Sequence, residues 1–186
     1  MGFIITLAVL VGGAVVVVLY VIAVYNKLVG YRVEVDNSWS QIDVQLKRRS
    51  DLIPNLVETV KGYMQHERGT LEAVVAARAR ATGATNLPER MKAEGEISGL
   101  LGRLLAVWEN YPDLKANQNA MQLQEELTST ENRISYSRGH YNDVTANYNT
   151  LVQRFPSNIV AGMTGFSVRP YFQIAEAEKA VPQVKF

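Results

Sequence analysis

Residues 123–155 read LQEELTSTENRISYSRGHYNDVTANYNTLVQRF. Leu123, Leu127, Thr130, Ile134, Ser137, Tyr141, Val144, Tyr148, Leu151 and Phe155 fall in it at alternating steps of four and three. A sustained 3.5-residue repeat is the pattern of long helices lying side by side with interlocked side chains. The same steps recur upstream through Val35, Trp39, Ile42, Leu46, Arg49, Ile53, Leu56, Val60 and Tyr63. Two such helices predict the spine of an all-α fold with coiled-coil-like heptad packing. Strand alternation is absent from the sequence, so a β-sheet has no support.

Punctuation residues divide the rest. The first helix is expected to run to about Ala81 with a kink or short break near Leu52 to Pro54, because Pro54 removes the amide that would bond the Ser50 carbonyl. Pro54 is therefore a candidate hinge, although a fixed bend is the simpler reading. Gly83 to Asn86 predicts a turn, with Asn86 capping a second helix and Pro88 in its opening turn. Met91, Ile97, Leu100, Leu101, Leu104, Leu105 and Trp108 give that helix its apolar stripe, and it should end before Pro112. Asn117 predicts the cap of a third helix reaching about Arg154, and Ser157 to Met163 a short fourth. The expected architecture is a single N-terminal transmembrane helix followed by an antiparallel up-and-down bundle of three long helices and a short fourth. In residue ranges, 1–26 is the anchor with a short N-terminal tail and 27–165 the bundle. Residues 166–186 form a C-terminal tail with a helical patch around Ile174 to Ala180.

The anchor rests on residues 3–24, FIITLAVLVGGAVVVVLYVIAV, which carry no charge. A helix of that length rises about 33 Å, enough to cross the hydrocarbon core of a bilayer. A cleaved signal peptide needs a basic leader, a shorter apolar run and small residues at the cut site, so a retained anchor is expected. Tyr25 and Lys27 then mark the membrane interface, and Lys27 with Arg32 on the far side of the span predicts an exported N-terminus and a cytoplasmic domain. The net charge is +1 and the chain has no cysteine. Near-neutrality leaves no electrostatic footprint for nucleic acid. The lack of cysteine removes disulfides, thiolate metal sites and cysteine nucleophiles. Lys47-Arg48-Arg49 lies about 30 Å beyond Lys27 along a straight helix, too far to sense lipid headgroups, and reads as a solvated face with one inward position.

Tyr25-Asn26-Lys27-Leu28-Val29, the run from Trp39 through Leu46 to Val57, Tyr111-Pro112-Asp113-Leu114-Lys115-Ala116-Asn117, and Thr130-Glu131-Asn132-Arg133-Ile134 are motifs that resemble the LemA family of bacterial membrane-anchored proteins. Tyr141-Asn142, Tyr148-Asn149, Phe155-Pro156-Ser157-Asn158-Ile159 and the ending Pro182 to Phe186 add to them. Ala120-Met121 departs from the pattern, where a bulky aromatic is expected. The resemblance spans essentially the whole chain and implies one membrane span with a short outside tail, then an antiparallel helical bundle. It brings no catalytic residues.

Chemistry is sparse in the residues themselves. His66 and His140 sit on different helices without metal-ligand spacing, and His66 and Glu67 point about 100° apart on a helix. No phosphate-binding glycine loop occurs. No catalytic, cofactor or metal site is therefore expected, and an enzyme is not. The polar residues on or beside the heptad positions are the candidates for interaction: Arg49, Asp51, Glu131, Arg138, Asn142 and Asn149. A buried Arg49 requires a carboxylate such as Glu131, or else a path to solvent, and the simplest role for such a pair is to fix helix register. Asn142 and Asn149, one heptad apart, either grip a peptide backbone or bridge helices. Two functions remain open: a homo-oligomeric scaffold at the bacterial inner membrane, with lipid as its other partner, or an adaptor that docks a membrane protease, sensor or peptide between its helices.

Overall fold

The computed structural model describes residues 1–172. The expected helical patch at Ile174 to Ala180 and the ending Pro182 to Phe186 lie outside the described residues. Among those described, all regular structure is helical. The elements are α1 (Gly2–Val60), α2 (Arg68–Gly83), α3 (Leu87–Trp108), α4 (Pro112–Ala116), α5 (Gln118–Gln153) and α6 (Ser157–Thr164), with one 3-10 turn at Gln65–Glu67.

α1 opens with the apolar run, whose side chains from Phe3 to Ala23 are all exposed; Val24 is the first buried residue and Leu28 is fully covered. It is one helix long and apolar enough to cross a membrane. Of the kink or short break expected at Leu52 to Pro54, the break is not there: α1 runs through Pro54 to Val60, and the helical path is interrupted at Lys61–Met64 instead. The stretch read as one helix to Ala81 is therefore two. Proline leaves the Ser50 carbonyl without its intrahelical donor, and Arg78 Nε of α2 supplies one at 2.8 Å. The gap in the ladder is filled from another helix.

The expected caps are in place. Asn86 Oδ1 accepts the Glu89 amide at 3.0 Å with Pro88 in the first turn of α3. Asn117 Oδ1 accepts from the amides of Asn119 and Ala120 at 3.0 and 3.2 Å. α4 is a further short helix, started by Pro112. Gly165 closes α6 at φ 75°, the left-handed region in which a side chain would be strained.

The chain divides into two compact units, residues 1–39 with 140–171, and residues 40–139 continuing from Phe172. α1 and α5 contribute to both. The second unit has a continuous apolar core that includes Ile53, Leu56, Val60, Val74, Ile97, Leu101, Leu104, Trp108 and Leu127. Burial on α5 follows the sequence spacing through Leu123, Leu127, Thr130, Ile134, Tyr141, Val144 and Tyr148, with Arg138 buried in place of the half-buried Ser137, and ends before Phe155, which is exposed.

Candidate functional site

Two polar constellations and one open groove stand out. The first constellation lies inside the second unit. Arg49 of α1 is fully buried. Its Nη1 donates to Ser98 Oγ at 2.6 Å and to Glu131 Oε1 at 2.7 Å, and its Nη2 to the Glu94 carbonyl at 3.0 Å and to the Glu94 carboxylate. Arg138 of α5 donates through Nη2 to the same Ser98 hydroxyl at 2.7 Å, and its guanidinium lies 4.5 Å from the centre of the Phe172 ring. Two guanidiniums and two carboxylates thus meet around one serine. A buried charge is tolerated only when paired and hydrogen-bonded, which this arrangement achieves for Arg49 through α3 and α5 together.

Arg49, Glu131 and Arg138, chosen from sequence, are brought together here. Asp51 is not; it is exposed. Glu94 and Ser98 were missed, although Glu94 falls three residues after Met91 and three before Ile97, on the stripe that α3 buries. The signal was a carboxylate in an apolar register, and only a facing arginine gives it meaning.

The second constellation belongs to the first unit. From Phe166 to Phe172 the chain runs without regular structure, and α5 side chains hold the backbone of this segment. Asn149 Nδ2 donates to the Arg169 carbonyl at 2.9 Å while its Oδ1 accepts the Arg169 amide at 2.8 Å. Tyr148 donates its hydroxyl to the Ser167 carbonyl at 3.0 Å and Tyr141 to the Pro170 carbonyl at 2.9 Å. Arg169 also meets Asp36 of α1 at 3.2 Å. Phe166 packs edge-on against Tyr25 with ring centres 5.9 Å apart, and the Arg32 guanidinium lies 5.0 Å from its centre. The backbone that Asn149 holds is the chain's own. Asn142 is half-buried one heptad earlier.

Burial raises the Tyr141 hydroxyl above its ordinary pKa of 10.0, opposed by Thr145 alongside and by the Arg169 charge. Tyr148 is raised for the same first reason, again opposed by Arg169. Both phenols are therefore protonated donors at neutral pH. Of the two residues expected at a membrane interface, Tyr25 contacts Phe166 of this segment, and Lys27 sits 5.9 Å from the centre of the Tyr31 ring on its own helix, α1.

The groove is in the second unit. About 1400 Å³ of open space runs between α1 and α5, lined by amides such as Gln41, Gln45, Gln122 and Asn132. Val44, Met121 and Tyr136 stand exposed along it, Tyr136 at 82%. The two histidines take no part in any of these places. Among the described residues no three metal-ligating side chains come together.

The sequence model of the LemA family matches residues 38–186, all of the second unit and just under half of the first. The chain belongs to the LemA family. Among its relatives, Protein LemA of Metamycoplasma hominis is 26% identical over 155 residues, covering 83% of this chain and 71% of that protein. Magnetosome protein MamQ 2 of Paramagnetospirillum magneticum is 27% identical over 176 residues, with 80% and 64% covered. Magnetosome protein MamQ of Magnetospirillum gryphiswaldense is 25% identical over 175 residues, with the same shares. The LemA chain here thus spans less than two thirds of the length of its MamQ relatives. All three names identify a protein without naming a reaction.

Proposed function

We propose that the protein is a non-enzymatic scaffold of the bacterial inner membrane that self-associates through its helices. In this reading the apolar start of α1 is retained in the bilayer with its N-terminus outside. The rest of the chain is an antiparallel heptad-packed bundle on the cytoplasmic side, with Tyr25 and Lys27 at the interface. Residues 1–26, 27–165 and 166–186 then serve as anchor, bundle and tail. The Arg49, Glu131 and Arg138 cluster fixes the helix register on which the association face depends, and Pro54 sets the path of α1 rather than moving.

One observation carries the proposal: the groove between α1 and α5, with Val44, Met121 and Tyr136 uncovered among neutral amides. Its walls carry few charges, Glu125 and Arg133 among them, so a second copy of the same amide-rich surface meets it without like-charge repulsion. Isologous contact of this kind is the commonest route to a symmetric pair. Tyr136→Glu and Met121→Glu place charge on that face and should dissociate the assembly at unchanged helicity. An assembly mass unaffected by both substitutions would move the contact elsewhere.

The adaptor reading is supported by a different observation, the hold that Asn149 has on a peptide backbone. A membrane-protein partner would then present an extended segment to α5.

A further inference from the structure

The segment Phe166 to Tyr171 is held mainly by its backbone. Four hydrogen bonds reach it from α5, and all four end on main-chain atoms: the Ser167 and Pro170 carbonyls, and both the amide and carbonyl of Arg169. Two side chains give the sequence its address. Phe166 lies against Tyr25 and Arg32, and Arg169 three residues on meets Asp36. Pro170 keeps Arg169 extended and has no amide of its own to leave unsatisfied. Asn149, Tyr141, Tyr148 and Asp36 therefore form a seat for an extended peptide with an aromatic residue and an arginine at that spacing.

We propose that this seat exchanges its occupant between copies, so that residues 166–171 of one chain lie on α1 and α5 of a second. Identical contacts are made in either arrangement, which makes such an exchange a low-cost route to a dimer. Gly165 at φ 75° joins the segment to α6, and a glycine there lets the connection open without a side chain opposing the new backbone angles. In one chain the segment is tethered beside its own seat at an effective concentration of order mM. Anchoring in one membrane gathers neighbouring seats into the same plane and so competes with that tether. The inference deepens the self-association reading and rests on it, because copies must first meet.

The cysteine-free chain allows a direct test. Two full-length chains of different tag length, one Asp36→Cys and one Arg169→Cys, are co-synthesised, extracted in mild detergent and treated with a short bis-maleimide. Exchange predicts a cross-linked heterodimer, the Arg169→Cys segment of one chain lying on the Asp36→Cys seat of the other. A chain carrying both cysteines reports whether the two positions are within reach at all. Cross-linking within that chain but never between the two tagged chains overturns the exchange, and so does no cross-linking in either. The mass of the same extract separates the two levels: an assembly without heterodimer removes the exchange and leaves self-association standing, whereas a monomer removes both.

Discussion

Arg78 Nε lies 2.8 Å from the Ser50 carbonyl oxygen and 3.0 Å from the Ser50 hydroxyl, and that carbonyl is the one Pro54, four residues on, leaves without a donor. The side chain of α2 thus completes the backbone bonding of α1. Pro54 inside a helix and Arg78 on its neighbour form one feature, and neither is explained without the other.

Truncating Arg78 therefore costs more than a half-buried arginine ordinarily does. Arg78→Ala should destabilise by about 1–3 kcal/mol, the penalty for an orphaned polar group. In the background of Pro54→Ala the restored amide serves Ser50 and most of that cost should vanish. Urea denaturation of the four proteins of this double-mutant cycle measures the coupling; additive effects would show that the two residues act separately.

The buried charges make an unequal pair of predictions. Glu94→Leu leaves Arg49 without its buried carboxylate partner and should cost about 3–5 kcal/mol. Glu131→Leu should cost less, because the Glu131 side chain is 21% exposed against 6% for Glu94, and water screens what it gives up. Thermal unfolding ranks the two variants, and a larger loss at Glu131 would contradict the assignment.

Alkaline pH should release the segment after Gly165. Tyr141 and Tyr148 are raised above 10.0 by burial, so each contributes stability that is fully present below the unfolded-state value near 10 and is lost as pH climbs through the higher folded value. Amide exchange of residues 166–171 should accelerate over that window, beyond the base-catalysed rise seen in a free peptide of the same sequence. The Tyr141→Phe/Tyr148→Phe pair should abolish the pH step while already exchanging faster at neutral pH.

Asn149→Ala removes both bonds to Arg169 at once. Protection of the Arg169 amide should fall by about tenfold or more, since two hydrogen bonds of roughly 1 kcal/mol each are lost, while core amides of the second unit near Leu101 and Leu127 stay protected. Hydrogen exchange followed by mass spectrometry reads both regions in one experiment.

Much of the helical framework was legible because its signals are local. Asn86, Pro88, Asn117 and Gly165 announce helix ends by their own backbone chemistry, and the apolar run before Val24 needs only length and composition. The helix was not broken at Pro54 for a physical reason: a proline signals a lost donor, and the replacement lay 24 residues further on in Arg78, beyond any local pattern. Arg49 was legible as a charge on an apolar spacing, and Glu131 as a carboxylate beside one. Glu94 and Ser98 were hidden because they share a stripe with Met91 and Ile97, which accounts for that face without them. Asn149 was visible as a candidate. Its occupant at Arg169 was not, because a segment held through its backbone leaves little mark in its side chains.

Self-association carries the functional account, and the mass of the purified full-length protein tests it most directly. Extracted gently and measured by detergent-corrected light scattering in the absence of other proteins, the chain should form a discrete assembly of several copies that persists on dilution. A monomer under those conditions would contradict the scaffold and turn attention to the adaptor and its peptide partner.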